Sequence, residues 1–278
     1  MATLITIAIP IYNAEQYLAF AIQSVINQTY KDWELLLMCD GSTDNSTAIA
    51  NEFAGKDERI KVVDDGMNRG LIYRLNQSIQ MTTTKYYARM DADDIMYITR
   101  IEEQVRYIEE HPEVDVVGTS IMTIDNNNRI GGSGYSGGRT CGFTHPTVMG
   151  KTNWFKANPY SEWALRAEDS ELWLRTERNS VFYTIGKPLF FYREFGVPTF
   201  RKYYLSQITM LKVFKRYKSY DKSFNWFILN TIKTYLKIIA YFIFDNIGQI
   251  DILIEKRKRI TVPSELRLTN YDLEMSIK

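Results

Sequence analysis

Two kinds of apolar pattern alternate along the first 120 or so residues, and this alternation restricts the fold more than any other feature of the chain. Leu4–Ile9, Trp33–Met38, Ile60–Val63, Tyr86–Met90 and Val114–Ile121 are short, nearly continuous apolar runs. Glu15–Asn27, Ser46–Phe53, Leu71–Ile79 and Arg100–Glu110 lie between them, and in the first of these Leu18, Ala21, Ile22, Val25 and Ile26 recur at helical spacing. Pro10 ends the first run, and His111-Pro112 stops the last helix. Unbroken apolar strands separated by helices predict an α/β fold with a mainly parallel sheet covered on both faces. In such a sheet ligands gather at the carboxyl ends of the strands.

A chain of 278 residues suits one large domain, or one domain with an appendage. Two cysteines, Cys39 and Cys141, make no disulfide framework, so a reducing compartment is expected. Met1-Ala2-Thr3 leads straight into a strand, so no signal peptide is expected. The net charge of +1 hides an asymmetry: residues 1–198 hold 19 Lys+Arg against 26 Asp+Glu, and residues 199–278 hold 15 against 7. This predicts two parts, 1–198 and a basic, aromatic-rich helical extension at 199–278. An anionic surface is the natural partner of the second part. A nucleic-acid partner is not expected.

Asp91-Ala92-Asp93-Asp94 follows the fourth apolar run directly. Three carboxylates within four residues repel one another and lose hydration if buried. On a turn they suit a hard divalent cation that keeps a phosphate ligand. Asp40-Gly41-Ser42-Thr43-Asp44 also follows a strand. Asp44 suits a helix cap, whereas Asp40 suits a contact to a ligand or an Asx-turn. Residues 125–142 are rich in turn formers and fit either a loop over a site or a hairpin. Asp125-Asn126-Asn127-Asn128 is not a calcium loop, because Ile130 stands where the sixth-position glycine is required.

Five landmarks in order resemble the family-2 glycosyltransferases of the GT-A, Rossmann-like fold, over about residues 3–195. They are Thr6-Ile7-Ala8-Ile9-Pro10-Ile11-Tyr12-Asn13-Ala14-Glu15, then Asp40–Ser46, then Asn68-Arg69-Gly70-Leu71 with Leu75-Asn76. Ala88–Asp94 and Ala167-Glu168-Asp169-Ser170-Glu171-Leu172-Trp173 complete the series. The resemblance implies a metal-dependent, inverting hexosyltransferase using a nucleotide-sugar donor, UDP-linked if Asp40 accepts the imide N–H of uracil. Pro10, Tyr12, Asn13 and Glu15 would wall the nucleotide pocket. Asn68 and Gly70 would open a helix beside the donor, and Asp91 and Ala92 would contact it. Asp93, with Asp91, would hold Mn²⁺ or Mg²⁺, and Asp94 would cap the next helix. Asp169 would be the general base, with Glu168 its rival; these acids also suit an ordinary first helical turn. His145 would line the acceptor pocket, give a third metal ligand or, as the preferred reading, serve structurally. Arg69 and Arg74 are expected in surface roles, with contact to phosphate the alternative. Lys151 departs from the arginine common at that place in relatives.

The tail beyond residue 200 reads as helical. No uncharged apolar run there approaches the ~20 residues that span a bilayer. Basic residues 212–222, followed by Phe224, Trp226, Phe227 and Ile228, fit an interfacial anchor. A helical subdomain that packs on the core or forms an oligomer is the other reading. The resulting expectation is a cytoplasmic enzyme, peripheral at the inner face of a cell membrane. It would glycosylate a glycan or lipid-linked acceptor in bacterial surface polysaccharide synthesis. A nonenzymatic nucleotide-sugar-binding scaffold on the same fold is the alternative. A phosphatase of the Asp-x-Asp type is disfavoured, because that motif comes earlier in the chain and precedes Thr. A nucleotidyltransferase would release pyrophosphate rather than UDP.

Overall fold

Strand β1 (Ile5–Ile11) is followed by α1 (Leu18–Ile26), β2 (Trp33–Cys39), α2 (Ser46–Ala54), β3 (Ile60–Val63), α3 (Leu71–Met81) and β4 (Tyr86–Arg89). Then come β5 (Ile95–Met96), α4 (Arg100–Glu110), β6 (Val116–Ile124), β7 (Ile130–Gly134), β8 (Gly138–Arg139), β9 (Met149–Lys151), α5 (Thr152–Ala157), α6 (Glu168–Thr176) and β10 (Phe182–Arg193). Four helices complete the chain: α7 (Phe200–Tyr217), α8 (Phe224–Asn246), α9 (Ile250–Glu255) and α10 (Asn270–Ile277). This computed structural model describes residues 4–140, 142–194, 200–217, 224–255 and 261–278. Cys141, the 198/199 boundary and the basic residues Lys218 and Lys222 lie outside them.

The strands form one sheet in the order β3-β2-β1-β4-β9-β6-β10-β5. The first four are mutually parallel, as unbroken apolar runs require. Beyond β4 the sheet is mixed: β9 runs antiparallel to β4 and β6, while β10 is parallel to β6. Ile5, Ile7, Ile9 and Ile11 are fully buried, as are Leu35 and Leu37 on β2. Pro10 stays within β1, paired in register with Met38. Cys39 is a buried free thiol whose pKa burial pushes up. The stretch after β6 is a hairpin strand: β7 pairs antiparallel with β6. Asp125 Oδ1 accepts the N–H groups of Asn127 and Arg129 at its turn.

The chain divides into two compact units. The first holds Met1–Pro159, Asn179–Glu194 and Ile260–Lys278; the second holds Tyr160–Arg178 and Phe195–Arg259. The last residues return to the sheet, where Leu268 and Leu273 pack with Ile95, Met122, Ile124 and Phe191. A cut by composition misses this, because a short amphipathic helix leaves no mark on net charge. The capping box of Thr269 with Asp272 starts α10. In the second unit α8 has 23 residues, about 35 Å at 1.5 Å per residue, and is long and apolar enough to cross a membrane. No uncharged run within it approaches ~20 residues, as expected. Lys233 and Lys237 interrupt the apolar run without shortening the helix.

Candidate functional site

In the order β3-β2-β1-β4 the direction of winding reverses between β1 and β4, where doubly wound sheets leave a crevice. Three loops leave the carboxyl edge around this point: Tyr12–Glu15 after β1, Asp40–Asn45 after β2 and Asp91–Asp94 after β4.

The first two loops are laced together. Asn13 sits in the left-handed region at φ 49°, and its Oδ1 accepts the Thr43 N–H at 2.8 Å. Asn13 N–H donates to Ser42 Oγ, and Glu15 N–H donates to Asp44 Oδ2. Glu15 Oε2 accepts both the backbone and the side-chain N–H of Asn45. Asn13 and Glu15 thus hold the neighbouring loop. Asp44 Oδ1 accepts the Ser46 N–H in an Asx-type turn just before α2, whose N-cap is Asn45 rather than the Asp44 expected. Tyr12, 54% exposed, offers a free ring face beside this clasp.

Asp40 is only 5% exposed. Its Oδ1 accepts from Arg69 N–H at 2.8 Å, Gly70 N–H at 3.2 Å and Arg74 Nε at 3.0 Å. Its Oδ2 accepts only the Gly70 N–H among the described residues, at 3.0 Å, and so keeps an open lone pair. Arg74 is fully buried, and it also donates to Asp65, the Met67 carbonyl and Gln77. The surface position expected for Arg74 is therefore wrong. Hydrogen bonds from Arg74 and then Arg69 hold the Asp65 carboxyl far below its ordinary range.

Two glycines serve this pocket differently. Gly41, at φ +64°, has backbone of Asn68 2.6 Å from where a Cβ would lie. Gly70, at φ +87°, would meet nothing within 4 Å, so it is required for its backbone angle rather than for close approach. Asn68 is exposed on the loop between them.

The acidic turn lies between β4 and β5, and the Met90 N–H to Ala8 O bond extends the ladder to its edge. One oxygen each from Asp91, Asp93 and Asp94 falls within 4.8 Å of the others. Burial, then the Asp91 charge, pushes the Asp93 pKa up to about 6. Burial, then Asp91 and Asp93, raises Asp94 well above its ordinary value. Asp94 does not cap α4, whose N-cap is Thr99. It is buried instead: Oδ1 accepts the Arg193 N–H at 2.7 Å, and Oδ2 has no hydrogen-bond partner. Ala92 is buried in the same turn, where a small side chain fits. This excess of negative charge, with an oxygen left unsatisfied, fits a hard divalent cation.

Buried arginines brace the turn. Arg89 pairs with Asp91. Arg193 donates Nε to the Asp93 carbonyl, reaches Asp125 O and Asn128 Oδ1, and lies 4.1 Å from the Tyr17 ring centroid. Arg100 is fully buried and donates to the Arg89 carbonyl at 3.0 Å; burial, then Arg89, lowers its pKa to about 9. None of these arginines was a sequence candidate. A basic residue at a helix start or strand end looks the same whether it faces water or the core. The His145 imidazole is held neutral, its pKa lowered well below 6.5 by burial and then by Arg89, and it lies outside the carboxylate group. Lys151 donates to the Pro112 carbonyl and pairs with Asp115, a bracing role.

The second unit carries the other acids. Asp169 is half-buried in the first turn of α6, and its Oδ1 accepts the Ser170 N–H. Glu168 is buried. Glu171 is fully buried and accepts from Arg175 Nε and the Tyr217 hydroxyl. Burial, then Glu171, raises the Tyr217 pKa to about 12. Arg166, two residues before α6, adopts φ 64°, and its carbonyl accepts from Ser206 on α7.

A family model described as Glycosyl transferase family 2 matches residues 6–162. The chain is 34% identical over 202 residues to "Putative glycosyltransferase EpsE" of Bacillus subtilis (strain 168), covering 68% of this chain and 73% of that one. The crystal structure of S. aureus TarS 1-349 with UDP-GlcNAc superposes with a TM-score of 0.64 at 16% identity, over 92% of this chain and 76% of that one. The same protein with UDP gives 0.60 at 18% identity, over 76% of this chain and 65% of that one. The mannosyltransferase PcManGT of Pyrobaculum calidifontis, in complex with GDP-Man and Mn2+, gives 0.59 at 16% identity over 90% and 73%. The fold of these structures is the GT-A type, as expected from the sequence.

Proposed function

Because the chain belongs to glycosyl transferase family 2, we propose that it moves a sugar, with inversion, from a nucleotide-sugar donor to a hydroxyl of a glycan or lipid-linked acceptor. The observation that carries this reading is the convergence of Asp91, Asp93 and Asp94 at the carboxyl edge of the sheet that also carries Asp40. A nucleoside diphosphate needs a base contact and a cation at such an edge.

Asp40 receives the base. Arg74 and the Arg69 and Gly70 N–H groups fix its carboxylate, and the open lone pair on Oδ2 accepts an imide N–H, which favours UDP. Tyr12 gives the base a ring to stack on. Asp91 and Asp93 would hold Mn²⁺ or Mg²⁺, which when bound neutralises charge on the diphosphate leaving group. Asp169 accepts the proton of the acceptor hydroxyl as that oxygen attacks the anomeric carbon. A single displacement leaves the configuration inverted. The setting we propose is the cytoplasmic face of a cell membrane, in surface polysaccharide synthesis, with the cationic tail on the lipid.

A thermal-shift panel of UDP-, GDP- and dTDP-sugars with and without Mn²⁺ tests the donor. Two fold neighbours crystallised with UDP-GlcNAc and GDP-Man, so both bases belong in it. A UDP-sugar at a hundredfold excess over Kd should add about 2.7 kcal/mol, and only with metal. Stabilisation by none of these donors would remove the reading.

A further inference from the structure

Helix α8 turns its most apolar face outward. Thr234 and Tyr241 are buried on its inner side, where Tyr241 stacks on Tyr203 of α7 with ring centroids 3.6 Å apart. Phe214 of α7 meets Trp226 edge-on at 5.4 Å. On the opposite side Ile228, Ile232, Leu236, Ile239 and Ile243 run down the helix with exposures from 38% to 61%. Tyr235 and Phe242 edge the same stripe, each more than half exposed. At 100° per residue the stripe is about 120° wide and lies opposite the buried pair. A soluble surface helix has the reverse arrangement.

We propose that this face of α8 lies in the plane of an anionic lipid bilayer, with the stripe among the acyl chains and α7 above it. The inference rests on the membrane setting proposed above and names the surface that makes the contact. Charge selects the occupant. Helix α7 carries Arg201, Lys202, Lys212, Lys215 and Arg216 and no acid. On α8, Lys233 lies just beyond the stripe's edge and Lys237 between it and the side packed on α7, and Asp245 is the helix's one acid. Such a layer is attracted to anionic headgroups at about 1 kcal/mol per cation near the surface. A second copy of the chain would bring the same cations towards one another. The stripe is also wider than a two-stranded coiled-coil seam and lacks oppositely charged flanks. A spanning α8 would either lose its packing on α7 or carry α7's cations into hydrocarbon.

Flotation of the full chain with vesicles tests this. Wild type should rise with vesicles of phosphatidylglycerol and phosphatidylcholine in equal parts, and far less with phosphatidylcholine alone. The double substitution Ile232→Glu with Ile239→Glu should weaken binding by ~100-fold or more, since each apolar side chain is worth at least tenfold. Lys233→Gln with Lys237→Gln should cost about fivefold per lysine on anionic vesicles and nothing on neutral ones. Carbonate wash should release the protein. Wild-type flotation by the Glu variant overturns the proposal. So does resistance to carbonate, or a wild-type dimer that the Glu variant converts to monomer with vesicle binding unchanged. Melting with and without UDP-sugar, read on the same samples, separates the two readings. Lost flotation with donor stabilisation intact is failure of the membrane face alone, and the converse is failure of the donor reading alone.

Discussion

Two triplets of acids, Asp91/Asp93/Asp94 and Glu168/Asp169/Glu171, each place three carboxylates within four residues, yet the fold treats them in opposite ways. On the turn after β4 all three side chains converge within 4.8 Å, and two of them have raised pKa values. On the first turn of α6 the helix fans them out. Glu171 is bound by Arg175 and Tyr217, and Asp169 accepts from Ser170. A turn can aim successive side chains at one point, whereas consecutive helical side chains diverge by 100°, and the α6 acids are bound by different partners. The first triplet accumulates charge that a divalent cation would relieve, and the second distributes charge where the helix dipole favours it.

The sharpest test of that contrast is chemical. Asp169→Asn should lower turnover by ~10²–10⁴-fold, the usual contribution of a general base, while metal-dependent UDP-sugar stabilisation persists. Asp93→Asn should abolish the metal dependence of that stabilisation. Steady-state kinetics beside thermal shifts separate the two. Retained turnover in Asp169→Asn would exclude Asp169 as base.

Next in size are the buried braces. Arg193→Met removes the guanidinium that holds the Asp93 carbonyl and the hairpin at Asp125 and Asn128. Arg74→Met strips Asp40 of a buried partner. Arg74→Met should cost about 3–5 kcal/mol in urea unfolding, because buried Asp40 loses its paired charge, and Arg193→Met about 1–3 kcal/mol, because buried acceptors are left unpaired. By contrast, Glu171→Gln keeps an acceptor for Tyr217 and should cost about 1 kcal/mol.

A pH dependence should mark the turn. An unfolded aspartate titrates near 3.9, whereas folded Asp93 titrates at about 6. Between those values the folded state binds more protons, so stability falls as pH rises through this window and stays lower above it. Asp93→Asn should therefore melt higher than wild type at pH 7.5 without metal, and this gain should vanish near pH 4. Mn²⁺ affinity should weaken by up to about tenfold per unit below pH 6, as protons compete for the ligand. Isothermal titration from pH 5 to 8 reads this directly.

The smallest effect separates the two glycines of the Asp40 pocket. Gly70→Ala meets only its backbone angle and should cost about 1 kcal/mol. Gly41→Ala also drives a Cβ to 2.6 Å from the Asn68 backbone and should cost more. Equal losses in thermal unfolding would mean that the loops separate freely.

Much of this site was legible in the chain. The elements up to β6 follow apolar period and turn residues, and their ends shift by only a few positions. Asp40, Asp44 and the acidic turn announce themselves because their chemistry is local and follows strands. Asn13 and Glu15 were legible as site-edge residues, but not as the clasp they form with residues 29–30 positions away. Asp94 looked like a cap because a helix follows it. Only the fold shows that its carboxylate meets the Arg193 N–H, 99 residues on. The outward face of α8 was half legible: its apolar content is in the sequence, but which side packs on α7 is not.

What the sequence alone determined was the alternation of strands and helices, the carboxyl edge where polar loops gather, and the family those loops resemble. These depend on periodicity and short-range turn chemistry, which act within about ten residues. Tertiary structure decided which arginines are buried, which carboxylates converge and which face of α8 is left outward. Those outcomes depend on partners 30 to 100 residues apart, and the desolvation of a charge is settled only when the chain has closed around it.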